Sequence, residues 1–267
     1  LREGLRRGMV TRQLLPVYAG SATQNVGVWS LLDAMVRLFP SPSERGVTHS
    51  WYGIQPETPD GCERKGTVEE PFSAYVFKTI IDPFVGRLSY CRVVSGSIHA
   101  DSTVLNASTH VREKLGHFYR VLGKRHVAVD SVKAGDIVAM AKLKDTHTGD
   151  TLSHEGNPIC YPGLGLPKPI LSYAIEAKSK ADIDKVSLGL HKLIEEDPTL
   201  EFSRNDETKE MVLSGMGQFH IDLALEKLHR KFGVDVILHT PKIPYRETIK
   251  TRSQAQGKYK KQTGGHG

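Results

Sequence analysis

The sequence predicts a multidomain fold in which an α/β segment is followed by a β-barrel and then by a small α+β domain. Residues 169–239 alternate apolar strand-like segments with two amphipathic helices, whereas residues 71–163 hold several short β-like segments between glycine and aspartate turns. Stretches rich in proline and glycine separate these parts. A chain of 267 residues is long enough for two domains and part of another.

The stretch 169–239 reads as strand, helix, strand, strand, helix, strand, which is the split βαβ plan. The predicted strands are Pro169–Ala177, Thr199–Arg204, Glu210–Ser214 and Val234–Leu238. The predicted helices carry apolar side chains at helical spacing, namely Ile183, Val186, Leu190, Leu193 and Ile194 in the first and Ile221, Ala224, Leu225, Leu228 and Phe232 in the second. Pro198 ends the first helix, because proline disfavours the α conformation at the preceding residue, and Gly233 ends the second.

The middle of the chain, residues 71–163, predicts a closed β-barrel. It contains strand-like segments such as SAYVFKTI, GRLSYCRVV, STVLNAS and DIVAMAKL, separated by turns that contain glycine, aspartate or proline. Several short strands between such turns are typical of barrels. The stretch Val111–Arg125 has a composition that would also suit an amphipathic helix.

The first 42 residues predict an α/β unit. Leu14–Gly20 is an apolar strand candidate, and the helix after it has apolar positions at Val28, Leu31, Leu32, Met35, Leu38 and Phe39. Pro40 and Pro42 end this helix. Residues 43–70 are rich in proline, glycine and charge, which predicts a linker or an extended crossing segment.

The composition is ordinary for a soluble globular protein and modestly favours anionic partners. Hydrophobic residues make up 39% and charged residues 25%, with a formal net charge of +6 and a pI near 9.1. No apolar run approaches the roughly 18 residues that span a bilayer, and the basic N-terminus lacks the apolar core of a signal peptide. The three cysteines are widely spaced and show no metal-ligand pattern, which indicates reduced thiols.

Several stretches together resemble one family over nearly the whole chain and in the family's order. SGMGQFHIDLALEKLHRKFGVDV, with LIEEDPTL before it and PKIPYRETI after it, resembles the third domain of bacterial elongation factor G. PFSAYVFKTIIDPFVGRLSYCRVVSGSI and LKDTHTGDTL resemble the second domain. LLPVYAGSATQNVGVWSLLDAMVRLFPSP resembles the end of the GTP-binding domain, and QGKYKKQTGGHG the opening of the fourth domain.

The resemblance implies a translation-factor β-barrel followed by a ferredoxin-like split βαβ domain, with the remnant of a P-loop GTPase domain before them. It divides the chain into the end of the GTP-binding domain (1–42), a linker (43–70), the barrel (71–163), the split βαβ domain (169–240) and the start of a fourth domain (250–267). It also implies that Val111–Arg125 is β-structure with a basic turn at Gly123-Lys124-Arg125, and that the sequence is an internal piece of a longer protein.

The resemblance assigns one nucleotide contact to this chain. Gly20, Ser21 and Ala22 match the loop whose backbone amide bonds the carbonyl oxygen of guanine. The sequence contains no G-x-x-x-x-G-K-[ST] phosphate loop and no N-K-x-D motif. We therefore expect the full-length parent to bind GTP or GDP with Mg²⁺ and to hydrolyse GTP, whereas this segment should bind no cofactor tightly and should not be catalytic by itself.

Basic residues in the C-terminal third are candidates for contact with ribosomal RNA, because cations placed on phosphates release counterions. They are Lys227, Arg230, Lys231, Lys258, Lys260 and Lys261. A merely solvated surface explains them equally well. Three further features have structural interpretations: Ser214–Gly217 as a strand-to-helix turn, His220 as a surface or packing residue, and Glu195–Asp197 as a solvated helix end. The scattered histidines predict no metal site.

The leading hypothesis is that the chain is the central ribosome-docking and relay portion of an elongation-factor-G-like GTPase that promotes translocation of tRNA and mRNA. Its partners would be the ribosome and the missing domains of the same protein, in a cytoplasmic monomer without membrane contact. A ribosome-protection, recycling or stress-related paralogue with the same domain order is one alternative. A stand-alone basic RNA-binding module is another, and it would need exposed aromatics on the sheet, where the first and fourth strands of the domain, SYAIEA and VDVILH, offer only Tyr173.

Overall fold

A computed structural model describes residues 2–58, 60–82, 85–123 and 125–258, without the side chains of residues 46–48. Among these residues, no helix combines the length and the apolar character needed to cross a membrane.

The N-terminal part is helical, with α1 (Arg2–Val10), α2 (Val28–Leu38) and α3 (Pro42–Thr48). The structure confirms the predicted helix before Pro40. The predicted strand at Leu14–Gly20 is wrong, because this segment has no regular secondary structure and joins no ladder within the described chain. A strand exists only where a neighbour satisfies its backbone groups.

Residues 43–70, predicted to be a linker or an extended crossing segment, contain most of a short helix and two strands. α3 starts with a capping box in which Ser41 and Glu44 exchange side-chain and backbone hydrogen bonds. The strands β1 (Ser50–Ile54) and β2 (Gly61–Lys65) then form an antiparallel hairpin. The hairpin joins the barrel through backbone hydrogen bonds between Ile54 and Cys160, at 2.9 and 2.8 Å.

Within the described residues the barrel has ten strands, of which eight form one sheet in the order β7-β6-β12-β3-β4-β11-β8-β9 and two pair separately as β10-β5. In chain order they are β3 (Ser73–Asp82), β4 (Gly86–Ser95), β5 (Ser97–His99), β6 (Thr103–Asn106), β7 (Val111–Lys114), β8 (Phe118–Leu122), β9 (Arg125–Val129), β10 (Ser131–Lys133), β11 (Ile137–Ala141) and β12 (Thr151–Ser153). Strands of both sheets contribute to one core, which includes Val76, Cys91, Phe118, Val132 and Met140.

The barrel confirms that Val111–Arg125 is β-structure, as the resemblance implied. β8 and β9 form a hairpin that turns at Gly123, whose φ is 60°. Lys124, at the centre of the predicted basic turn, lies outside the described residues. The helical alternative suggested by composition is therefore excluded, because cross-strand burial of side chains such as Leu115 and Phe118 outweighs local helical propensity.

The domain that follows the barrel has the predicted order of elements. They are β13 (Leu171–Ala177), α4 (Ile183–Glu196), β14 (Glu201–Arg204), β15 (Met211–Gly215), α5 (Gln218–Phe232) and β16 (Val236–His239). The sheet order is β14-β15-β13-β16, and all its pairs are antiparallel. Both helices cover one face and share a core with the sheet that includes Val186, Leu190, Leu213, Ile221 and Leu228. Gly233 ends α5 in the left-handed conformation, with φ 66°. This is the split βαβ fold.

After β16 the chain crosses the face of the sheet that the helices leave open. β16 is one edge of the sheet, yet the Lys242 N–H donates to Glu210 Oε2 at 3.0 Å, beside the β14–β15 hairpin at the other edge. Arg246 forms an ion pair with Glu207 in the same hairpin. Residues 240–246 therefore form a strap over the outer face.

Candidate functional site

The loop before α2, residues 20–27, is closed by two backbone hydrogen bonds. The Ser21 N–H donates to Val26 O and the Val26 N–H donates to Ser21 O, both at 3.0 Å. Glycine is required on either side: a Cβ on Gly20 would lie 2.6 Å from Val26 O, and Gly27 has a φ of 77°. The two hydrogen bonds and the two glycines together fix the backbone conformation of the loop.

The loop lines an open cleft of about 210 Å³ to which Gly20, Ser21 and Ala22 all contribute. The Ser21 amide is already bonded to Val26, whereas the Ala22 amide has no acceptor in the described part of the chain. One backbone donor in a cleft with small side chains at the loop and apolar ones, such as Tyr18 and Leu31, around it suits a carbonyl oxygen on a flat ring. The residues present therefore fit the edge of a guanine base, with Ala22 as the donor, and the contact itself stays a prediction.

The basic residues predicted to contact RNA differ in how they are engaged. Lys231 Nζ is bound to both carboxylate oxygens of Glu196, at 2.6 and 2.7 Å, so its charge is compensated inside the domain. Arg230 is exposed and Lys227 half-buried, and neither has an ion-pair partner among the described residues. Lys258 is exposed beyond the strap, and Lys260 and Lys261 lie outside the described residues. Lys227 and Arg230 thus lie on one face of α5, whereas Lys231 is paired with Glu196.

The three acidic residues at the end of α4 are not a solvated helix end, as the sequence suggested. Each has a partner in another element: Glu195 lies 3.6 Å from Arg87 Nε, Glu196 binds Lys231, and Asp197 Oδ2 lies 3.0 Å from His220 Nε2. A helix C-terminus repels carboxylates because its free carbonyls carry partial negative charge. A run of three acids there is therefore a signal for specific partners, and sequence reasoning overlooked it.

Glu196 joins the two domains. Its Oε1 also accepts the Ile81 N–H at 2.7 Å, across 115 residues of sequence. β12 pairs with β3 only at Ser73–Tyr75, so the distal part of β3 has an open edge where this N–H needs an acceptor. The Glu196 side chain is 13% exposed, which leaves it little water to compensate its charge. Beside it, Arg87 Nη1 donates to Lys144 O at 2.9 Å, which holds the guanidinium toward Glu195.

His220 connects the two helices of the split βαβ domain, so of the two predicted roles, surface or packing, the structure favours packing. Its Nδ1 accepts the Met216 N–H at 3.1 Å, so its Nε2 carries the proton that is donated to Asp197. Burial would raise the pKa of the Asp197 carboxyl, but hydrogen bonds from Thr199 and His220 outweigh it and hold the pKa below its usual range. Because His220 satisfies the Met216 amide, this strand-to-helix turn is built for packing.

The open face of the sheet lacks the aromatic that a stand-alone RNA-binding module would use. Tyr173 packs with the core on the helix side, and its hydroxyl hydrogen-bonds Gln218 of α5. The strap of residues 240–246 crosses the opposite face. The geometry therefore does not favour this alternative.

Comparison with known proteins agrees with this architecture. A family model described as elongation factor G domain 2 matches residues 71–155, and one described as elongation factor G, domain III, matches residues 166–240. A crystal structure of a protein from Thermus thermophilus shares 33% sequence identity, with a TM-score of 0.71 over 99% of this chain. The match spans 37% of the length of that protein.

Proposed function

Because the chain belongs to the elongation factor G family and contains its second and third domains, we propose that it is the central docking and relay portion of a translational GTPase. The whole protein would bind GTP with Mg²⁺, hydrolyse it, and couple hydrolysis to the movement of tRNA and mRNA through the ribosome. Within it, this segment supplies the edge of the guanine site and two domains that pass a change of orientation from one to the other.

The junction between the barrel and α4 carries the relay part of this proposal. A relay requires that a displacement of one domain is felt at a defined place in the next. Glu196 meets this requirement because one carboxylate binds the backbone of β3 and a side chain of α5. A displacement of the barrel would then act on both helices of the split βαβ domain at once.

The docking part rests on Lys227 and Arg230, whose charges have no ion-pair partner in the described chain. On a ribosomal surface such cations bind RNA phosphates, and each contact steepens the dependence of affinity on salt. Ala22 contributes to the nucleotide site of the full-length protein and not to docking.

Co-sedimentation of the chain with purified ribosomes over a salt series tests the proposal. We expect salt-sensitive binding, and the variant Lys227→Gln/Arg230→Gln should reduce the slope of log affinity against log salt by roughly 1.5. The matched control, Lys178→Gln/Lys242→Gln, removes two cations that are paired with Asp235 and Glu210 and should leave the slope unchanged.

Two results would count against the proposal. Failure of the unmodified chain to sediment with ribosomes at low salt contradicts the docking role. Tight binding of a fluorescently labelled guanine nucleotide to this segment contradicts its assignment as the base-contacting edge alone.

A further inference from the structure

β14 is an edge strand whose outward backbone groups can be identified. In an antiparallel pair, residues that exchange hydrogen bonds alternate with residues whose N–H and C=O point away. The Asn205 N–H donates to Glu210 O at 2.8 Å, so the next bonded pair is Ser203 with Val212. Phe202 and Arg204 therefore direct their N–H and C=O groups to the open edge, and neither amide has an acceptor among the described residues.

A groove runs along this edge, between β14 and α4. Its volume is about 470 Å³. Ile183, Phe202 and Met211 give it apolar walls, and the His191 ring packs edge-on against Phe202 with the centroids 5.4 Å apart. Ile183, the first residue of α4, is 43% exposed, so the groove leaves apolar surface uncovered.

The groove has a net positive charge. Arg204 and Lys209 line it, and neither has an ion-pair partner in the described part of the chain, whereas Asp184 is its one acidic lining residue. Lys209 has a φ of 59° in a turn held by Asn205 Oδ1, which accepts the N–H groups of Glu207 and Thr208 at 2.9 and 3.1 Å. The turn is thus ordered by its own hydrogen bonds, and it places the Lys209 charge at the groove.

We propose that this groove binds an extended acidic segment of a protein partner, which adds to β14 as a fifth strand of the sheet. An open strand edge next to a helix supplies backbone hydrogen bonds for such a segment, and the groove supplies a pocket for alternate side chains. Phe202 and Arg204 bond its backbone, an apolar side chain enters between Ile183 and Met211, and carboxylates meet Arg204 and Lys209. This inference concerns a surface outside the docking residues of α5 and does not depend on ribosome binding.

The first test uses two probe peptides of seven residues with blocked ends, one alternating valine with glutamate and the other valine with lysine. We expect the acidic peptide to bind the chain and to slow amide hydrogen exchange at Phe202 and Arg204, as followed by NMR. The lysine peptide should not bind, because it faces two like charges. Absence of binding by the acidic peptide at millimolar concentration, or protection at other strands only, would overturn the proposal.

A pair of substitutions at one residue separates backbone pairing from charge. Arg204→Pro removes the outward N–H, and the β14–β15 ladder should survive because this N–H does not point to β15. Arg204→Gln keeps the N–H and removes the same charge. We expect Arg204→Pro to bind the acidic peptide at least threefold more weakly than Arg204→Gln. Equal affinities would exclude strand addition, and far-ultraviolet circular dichroism checks that both variants fold.

A double variant tests the charges. Arg204→Gln/Lys209→Gln should weaken binding of the acidic peptide about tenfold, the loss expected for two exposed ion pairs. The control Lys250→Gln/Arg252→Gln removes the same charge from the exposed segment after the strap and should bind normally. Tighter binding of a single-stranded RNA oligonucleotide than of the acidic peptide at this edge would overturn the proposal. So would self-association through β14 in analytical ultracentrifugation.

Discussion

At the scale of single residues, the end of α4 shows how an unfavourable local choice is compensated by distant partners. Glu195, Glu196 and Asp197 occupy the helix end where carboxylates are least favoured. Their partners are a guanidinium, an ammonium with a backbone amide, and an imidazole. The three carboxylates are tolerated because each of them accepts from, or pairs with, a donor on an element other than α4.

The first prediction concerns acid stability. Because the pKa of Asp197 is held below its usual range in the folded chain, its contribution to stability is present above the unfolded pKa, near 4, and is lost as the pH falls through the folded value. Asp197→Asn should therefore lower the free energy of unfolding in urea by the same amount at pH 7 and pH 5, and by less below about pH 4.

The matched control is Asp206→Asn in the exposed β14–β15 turn, which should change stability little at any of these pH values. A difference between Asp197→Asn and the unmodified chain that grows on acidification would contradict the assignment.

The second prediction compares two neighbouring glutamates. Glu196→Ala leaves the Ile81 amide without its acceptor and Lys231 without its partner, so it should cost about 2 kcal/mol of unfolding free energy. Glu195→Ala removes a partly exposed pair at 3.6 Å and should cost under about 1 kcal/mol. Urea unfolding measures both, and hydrogen exchange at the Ile81 amide should accelerate in Glu196→Ala alone. Equal costs would show that Glu196 has no special place in the junction.

At the scale of elements, sequence patterns predicted what local chemistry decides. The two amphipathic helices, their ends at Pro198 and Gly233, and the long strands β3 and β4 follow from periodicity and turn residues. The three-residue strands β5, β10 and β12 could not be predicted, because so short a run has no measurable alternation and forms only when a partner strand is in place. The β1–β2 hairpin, with five residues in each strand, was missed because its docking depends on the distant Cys160.

The third prediction concerns the docking of this hairpin. A Cβ on Gly53 would lie 2.5 Å from the backbone oxygen of Cys160, so Gly53→Ala should displace β1 from the barrel. Limited proteolysis should then cut residues 50–65 faster while the barrel stays intact. Gly61→Ala is the matched control, because nothing lies within 4 Å of its added Cβ. Similar cleavage rates for the two variants would refute the role of Gly53.

At the scale of the whole molecule, the barrel and the split βαβ domain have separate hydrophobic cores. The two domains contact each other through charged residues at the end of α4. The core of the split βαβ domain is formed by residues between Tyr173 and Leu238. We predict that residues 164–250 fold when expressed alone and unfold in urea in one cooperative transition, monitored by circular dichroism. A non-cooperative transition or loss of helical signal would show that this domain needs the barrel for its stability.

Functional residues could be predicted from the sequence only where they are neighbours in the chain. Gly20, Ser21 and Ala22 lie together in a loop whose closure uses neighbours, so the resemblance could place them. The junction could not be found in this way, because its donor at Ile81 and its acceptor at Glu196 are 115 residues apart and the donor is a backbone amide, which has no sequence signature. The groove beside β14 likewise depends on sheet order.

The length of β3 and β4 has a mechanical consequence. Each has ten residues, yet β12 covers only the first part of β3, and the β11 pairing of β4 starts at Leu88. Only the last two pairs, Ile81 with Arg87 and Asp82 with Gly86, therefore lack a third strand in the described chain. A two-stranded ribbon is free to twist more strongly than a wide sheet, whereas its length stays at about 3.3 Å per residue. Glu196 and Glu195 grip this end through Ile81 and Arg87. We therefore expect this end to transmit a shift along its axis to α4 more fully than a turn about that axis.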